Sequence, residues 1–422
     1  MSETAPKTAP EDADTRMSSL QAGALTVLIC GAIVITLGMG IRQSFGIFLK
    51  PVTADLEVGR QVFGLAIALQ TLLTGLLGPV AGMMSDRFGP NRVIAAGTVI
   101  YGLGLVLSGF AQGPNSLVLT LGGVVGLGMS LLTLPVVLGA VGRVVTPAQR
   151  GTAFGLVTAG GSFGQFAMVP GAQALVTTFD WQWAFILLSI FMAIAFAVSF
   201  GLAHKANAGG TAPAAGEDSS AWSALARAGR HPGYWLLTLS FFVCGFHVSF
   251  VATHLPAYLA DRGISAAVAA NSLALIGLCN IFGSYLFGAA CSRYAKKHLL
   301  SFIYAGRALL FVLVLALPMT PTLALAFGAI IGFLWLGTVP PTSGLVAQLF
   351  GTRYLATLFG VVFMSHQIGG FLGAWFAGYL FDTTGSYNIA WMISIGLGVF
   401  GALVLLPVSE TPPARLRSAQ AG

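Results

Sequence analysis

Two kinds of side chain in this sequence could bind or move charge inside an apolar environment. The first is Arg42, within the apolar run 22–49. A membrane-embedded arginine costs about 2.5–3.5 kcal/mol on insertion scales, so it needs compensation. Its planar fork matches a carboxylate bidentately, which makes an anionic substrate one source of compensation. Snorkelling toward the nearer membrane surface is the other, because Pro51 is only nine residues on. The second kind is histidine. His247 and His254 are seven residues apart and share one helical face, and His366 stands beside Gln367 midway along another apolar run. Imidazole titrates near neutral pH, so His247 and His366 are candidates both for substrate binding and for carrying a proton. Either could instead be a neutral packing histidine, and packing is preferred for His254, just before Pro256. Thr158, Ser162 and Gln165 form a polar stripe at i, i+4 and i+7, and Gln70 with Thr74 forms another. Interhelical hydrogen bonding is the commoner role of such stripes. Gln165 is retained as a candidate substrate contact.

Those residues need elements that hold them in hydrocarbon. Of 422 residues, 56% are hydrophobic and 8% charged, against about 25% charged in soluble domains. Twelve mostly apolar stretches, each of the ~20 residues that cross a bilayer, lie near 22–49, 60–84, 93–111, 116–140, 152–176, 182–203, 234–259, 267–291, 299–317, 322–346, 355–380 and 386–407. The composition predicts an all-α polytopic membrane protein. It excludes a secreted, nucleic-acid-binding or soluble enzymatic role. A tail at 1–20 is expected to be disordered. Six-span bundles follow at 21–203 and 234–407, joined by an Ala/Gly/Ser/Pro-rich linker at 204–233 and followed by a tail at 408–422. A short interfacial helix is possible around Trp222–Leu225.

The net charge of +7 has a topological reading. Lys7, Arg16, Arg87, Arg92, Arg143, Arg150, Lys205, Arg227, Arg230, Arg293, Lys296, Lys297, Arg353, Arg415 and Arg417 all fall in the tails or in loops on their side. Lys50, Arg60 and Arg262 lie in opposite loops, and Arg42 and Arg307 lie within spans. The positive-inside rule puts both termini in the cytoplasm. Asp55, Glu57, Asp180, Asp261 and Asp382 sit near the opposite span ends, and no acidic residue is mid-membrane. That argues against coupling through a buried carboxylate and against a site for organic cations. Cys30, Cys244, Cys279 and Cys291 lie in apolar runs or at a run's end and predict no disulfide framework. No metal cluster, nucleotide loop or nucleophile–base constellation is legible, so neither a cofactor nor enzymatic catalysis is expected.

The halves align at an offset of 205. This pairs Gly40 with Gly245, Arg42 with His247, Ser44 with Ser249, Phe45 with Phe250 and Pro51 with Pro256. It also pairs Thr133 with Thr338, Pro135 with Pro340, Gly155 with Gly360 and Gly164 with Gly369. Parallel six-span repeats imply two bundles that rock about a central site. The pairing of Arg42 with His247 predicts that both face the cavity. Thr338-Val-Pro340-Pro341-Thr342 should kink span 10.

The segment Gly82-Met-Met-Ser-Asp86-Arg87-Phe-Gly89-Pro-Asn-Arg92 resembles the loop 2–3 signature of the major facilitator superfamily. Gly288-Ala-Ala-Cys-Ser292-Arg293 is a worn second copy. The resemblance spans nearly the whole chain and implies the twelve-helix, two-bundle fold. It also implies a cytoplasmic gate built from Gly82, Asp86, Arg87, Gly89, Arg92 and Arg293. Span 1 ends Ser44-Phe45-Gly46-Ile47-Phe48, which is similar to monocarboxylate-transporter-like members, and Asn280-Ile281-Phe282-Gly283-Ser284 resembles their D-I-F-x-R segment. The family's acidic and arginine positions are Asn280 and Ser284 here, so Asn280 becomes a candidate substrate contact and Arg42 a candidate replacement cation. In this superfamily Arg307 would occupy a peripheral span, where packing or snorkelling is preferred.

Together these readings predict a proton-coupled transporter of small organic anions, monocarboxylates first, in a cell inner (plasma) membrane. The site would combine Arg42, His247, Asn280, His366 and Gln165. A proton-driven efflux pump for amphipathic compounds and a carboxylate exchanger are the alternatives. A monomer is the default state.

Overall fold

The computed structural model describes residues 10–145, 150–203, 221–351 and 354–411, and every regular element among them is helical. The chain begins with α1 (Pro10–Asp55), α2 (Arg60–Phe88), α3 (Pro90–Gly109) and α4 (Pro114–Gly142). The long helical stretch Arg150–Ser199 contains Asp180 at φ 62° and ψ 171°, so it is two rods, α5 (150–179) and α6 (181–199). Then come α7 (Pro232–Asp261), α8 (Ala266–Ala290) and α9 (Lys296–Ala316). The last three are α10, broken into Pro321–Phe333 and Val339–Phe350, α11 (Leu355–Thr384) and α12 (Asn388–Val404).

Nine helices among the described residues are long and apolar enough to cross a membrane, with α5 and α6 counted as one. Dividing that stretch at Asp180, and adding the broken α10 and the shorter α12, accounts for the twelve rods expected. Apolar side chains stay exposed along outward stripes, such as Leu103 and Leu107 on α3 and Leu309 and Leu313 on α9. In water such stripes would be a liability. Against hydrocarbon they are what a spanning helix needs.

The described chain departs from expectation at its start. Residues 10–20, expected to be part of a disordered tail, continue α1; residues 1–9 lie outside the described residues. The local chemistry favours a helix start, with Pro10 at its first position. Most of the linker also lies outside the described residues, but Ala221–Gly229 forms a short helix with Trp222 exposed.

Loops 2–3 and 8–9, with Arg87, Arg92, Arg293 and Lys296, mark one face, here termed the basic face. Lys50, Arg60, Asp261 and Asp382 mark the far face. There Asp55 accepts from Trp181 Nε1 and Gln182 Nε2, each at 3.0 Å, which pins the α5–α6 turn to the end of α1.

The internal repeat is visible in the packing. A Cβ on Gly164 of α5 would overlap the Thr36 carbonyl of α1, and a Cβ on Gly369 of α11 would overlap the Phe242 carbonyl of α7. Small residues at these crossings let the paired helices approach backbone to backbone. Both α4 and α10 break just before their Thr-x-Pro segments, with Thr133 and Thr338 at the restarts. The kink predicted for span 10 is therefore present, and span 4 shares it.

Candidate functional site

The two bundles meet along a seam formed by α2 with α11, α5 with α8, and α1 with α7. The seam is polar at the far face and at mid-depth. Toward the basic face the same helices part: a Cβ added at Gly82, Gly155 or Gly360 would meet nothing within 4 Å. By contrast, one on Gly46 or Gly64 nearer the far face would overlap backbone of the other bundle, at Ala252 and Ala374. The seam is thus closed on the far side and open on the basic side.

A clasp closes it. Arg60 at the start of α2 reaches Asp261 at the end of α7 with both terminal nitrogens, at 2.6 and 2.9 Å. It also donates to Tyr387 at 3.1 Å, and its guanidinium lies 3.6 Å from the Phe381 ring centroid. Lys50 adds a second contact to Asp261 at 3.2 Å. Asp382, near the end of α11, accepts from the backbone N–H groups of Arg60 and Gln61 at 2.9 and 2.8 Å. The amino end of α2, in one bundle, is therefore capped by a carboxylate of the other, where the helix dipole favours negative charge. Behind the clasp, buried His254 bridges the Tyr387 hydroxyl at 3.0 Å and the Ala374 carbonyl at 2.7 Å, the packing role expected of it.

At mid-depth, Arg42 is half-buried in the seam. Its nearest polar contact is long, Nη2 to Thr71 Oγ1 at 3.4 Å. No carboxylate pairs with it among the described residues. Gln367 Nε2 crosses from α11 to the Thr71 carbonyl at 2.9 Å, and Gln367 Oε1 meets His366 Nδ1 at 3.1 Å. Because Gln367 Oε1 can only accept, His366 Nδ1 is the donor in that contact. A polar chain therefore runs Arg42, Thr71, Gln367, His366 across the bundle boundary. The His366 ring stacks on Phe363 at 5.6 Å.

Other expected site residues are brought to the seam but are already engaged. Gln165 donates to the Leu273 carbonyl and accepts from Gln43, both at 2.9 Å. Asn280 donates to Ser162 at 2.9 Å and accepts from the Leu336 N–H at 2.9 Å and from Ser284 at 3.1 Å. Asn280 thereby ties α5 to the break in α10. His247 is directed elsewhere. It is buried inside its own bundle, with Nε2 on the Ser394 carbonyl at 2.9 Å and its ring edge-on to Phe311 at 4.9 Å. The repeat pairs it with Arg42 by backbone position, but its short ring packs between α9 and α12 rather than reaching the seam.

Arg307 is fully buried and does not snorkel. Nε and Nη2 hold the Leu334 carbonyl at 3.2 and 2.7 Å, and Nη2 also binds the Trp335 carbonyl. Both acceptors lie at the break in α10, outside the helical ladder. Of the expected gate residues, Gly89 turns the chain between α2 and α3 at φ 89°, a conformation that favours glycine. Arg87, Arg92 and Arg293 are exposed on the basic face. Gly82 has open space before it, and the Asp86 side chain lies outside the described residues. Thr71, Gln43 and the far-face clasp were not anticipated. The signal for the clasp was the mixture of acids and bases confined to the far span ends.

The family model for the Major Facilitator Superfamily matches residues 28–374. The chain belongs to that superfamily and is a multi-pass membrane transporter rather than an enzyme. It is 27% identical over 379 residues to monocarboxylate transporter 13 of Bos taurus, covering 87% of this chain and 85% of that one. It is 28% identical to monocarboxylate transporter 12 of Xenopus laevis, covering 80% and 78%. It is 22% identical to the MFS-type transporter YcxA of Bacillus subtilis (strain 168), covering 90% and 95%. Among solved structures it resembles a bacterial homologue of the lysosomal transporter Spinster in an inward-facing, occupied conformation. The TM-score there is 0.71 at 16% identity, over 90% and 94% of the chains. A D-xylose–proton symporter matches with TM-score 0.71 at 13% identity, over 91% and 97%.

Proposed function

We propose that this transporter carries small organic anions, monocarboxylates first, by proton-coupled alternating access in a cell inner (plasma) membrane with both termini cytoplasmic. The observation that carries the reading is Arg42: a guanidinium at the seam, with one long contact and no carboxylate partner among the described residues. A carboxylate bound there would supply the missing counter-charge, and the fork geometry suits two parallel hydrogen bonds. The monocarboxylate transporter relatives support the substrate class. The distribution of Lys and Arg supports the orientation, which makes the seam's open side cytoplasmic. His366, at the other end of the polar chain, is the coupling group on this reading. His247 is withdrawn from the site by its packing, and Asn280 and Gln165 shape the seam through bonds they already make.

The test is a thermal-stability screen of purified wild type beside Arg42→Ala, against mono- and dicarboxylates, sugars, amino acids and lipophilic drugs. A ligand that binds only the native state raises the melting temperature by mass action. Stabilisation by monocarboxylates that is lost in the variant is the expected result. Stabilisation by neutral solutes or drugs, unchanged by the substitution, overturns it.

A further inference from the structure

One group of ionisable side chains lies just behind the seam and is unused by the reading above. Arg307 donates from Nη1 to Cys244 Sγ at 3.5 Å, while its other nitrogens are taken by the α10 break. The Cys244 thiol also meets Thr338 Oγ1 at 3.2 Å. His366 of α11 crosses α7 at the neighbouring residue, where a Cβ on Gly245 would overlap the His366 carbonyl. Cys244 and Arg307 are both fully buried. The Tyr304 hydroxyl, on the same helix as Arg307, is buried without a hydrogen-bond partner. These are the titratable and charged groups that face the thiol: Arg307 and Tyr304 from α9 and His366 from α11, with Thr338 the neutral contact from α10. Among the described residues no carboxylate faces it.

A guanidinium held in a protein interior requires a counter-charge or close dipoles. The two carbonyls supply dipoles, and among the described residues the thiol is the only acid in hydrogen-bond contact with the cation. A cysteine in this position has two usable states, a neutral thiol and a thiolate paired with the guanidinium.

We propose that Cys244 is a proton-carrying group of this transporter, with Arg307 the fixed counter-cation of its thiolate and His366 the link between the thiol and the seam. This rests on the proton-coupled reading given above. In the transfer step the S–H bond breaks heterolytically and its electron pair stays on sulfur. The proton forms an N–H bond on the lone pair of the neutral His366 imidazole, giving an imidazolium that passes a proton to water or to the substrate carboxylate in the seam. Return transfer restores the thiol. No oxidant or reductant takes part. The site thus replaces the mid-membrane carboxylate that the sequence lacks.

The infrared S–H stretching band tests the proton directly. The full-length protein is used with Cys30, Cys279 and Cys291 changed to Ser, so that Cys244 supplies the only thiol. The band is expected to be present at about pH 5 and to be lost by about pH 10, past the ordinary thiol value of about 8.5. A further Cys244→Ser change should abolish it at every pH. A band of constant intensity across that window overturns the proposal.

In proteoliposomes, L-lactate is the probe. Cys244→Ser should lower uptake driven by a proton gradient at least tenfold and leave lactate–lactate exchange within twofold, because serine keeps the shape but cannot carry the proton. Full gradient-driven uptake by Cys244→Ser also overturns the proposal. If the wild type shows no gradient-driven uptake of any monocarboxylate, the proton-coupled reading fails instead, and the infrared titration still decides whether the thiol ionises.

Discussion

Removing the Asp382 carboxylate tests whether the far-face clasp holds the transporter in the observed state. Asp382→Ala deletes two acceptors that cap the amino end of α2 from the opposite bundle, at 2.9 and 2.8 Å. Loss of an N-cap costs about 1 kcal/mol. The site is exposed, which screens its charge and argues against the upper end of the cap range. That carboxylate can cap α2 only while the bundles touch on the far side, so the loss falls on one conformation and not on the fold. A change of about 1 kcal/mol shifts a two-state ratio by about fivefold. The assay is a spin-label distance measurement between Ala54→Cys, at the end of α1, and Asn388→Cys, at the start of α12. Cys30, Cys279 and Cys291 are replaced, and buried Cys244 is left in place. The far-side-open distance population should rise about fivefold in Asp382→Ala and stay unchanged in Thr383→Ala, whose hydroxyl bonds only within its own helix. An unchanged distribution in Asp382→Ala would refute the trans-capping argument.

Asp261→Asn should act in the same direction, because it leaves both Lys50 and Arg60 without their carboxylate. The wild-type clasp should also weaken in salt near 1 M, where the screening length falls to about 3 Å, read with the same labels. Arg307→Met leaves the Leu334 and Trp335 carbonyls without their donor. At about 1–3 kcal/mol per unsatisfied buried group, it should lower the melting temperature well beyond Arg87→Met on the exposed basic face. Gly245→Ala places a Cβ against the His366 carbonyl and should reduce the yield of folded protein, whereas its control Gly360→Ala enters open space and should be neutral; equal yields would show that α7 and α11 can part at no cost. Asn280→Ala removes the acceptor for the Leu336 N–H and the bond to Ser162. It should destabilise by about 1 kcal/mol per bond lost, seen as a lower melting temperature without loss of carboxylate-induced stabilisation.

Much of the architecture was legible from composition and spacing, because a bilayer imposes a coarse rule on every span. The kink before Pro340 and the glycine crossings of the repeat were visible for the same local reasons: a missing N–H and a missing Cβ. The site was legible only in part. Arg42 stood out as a candidate because a lone cation in an apolar run is costly wherever it points. His247 was misplaced because the repeat relates backbone positions, while side-chain length and packing decide direction. Gln165 and Asn280 were rightly noticed as polar, but each already makes hydrogen bonds to partners from other helices. Nothing local announces that.

By itself, the sequence determined that the chain is a helical membrane protein of repeated halves, with its acids kept to the ends and its cations Arg42 and Arg307 left within the spans. These properties depend on which residue lies in which run, and a transfer cost per residue reads them directly. Only the tertiary structure decided how the two cations differ. Arg42 stands half-buried at a seam with one long contact, and Arg307 is enclosed by the broken ends of α10 and the Cys244 thiol. Helical periodicity fixes a residue's angle about its own axis, but the neighbour it meets there depends on how twelve rods pack. That packing separates an arginine with one long contact from one already committed to the fold.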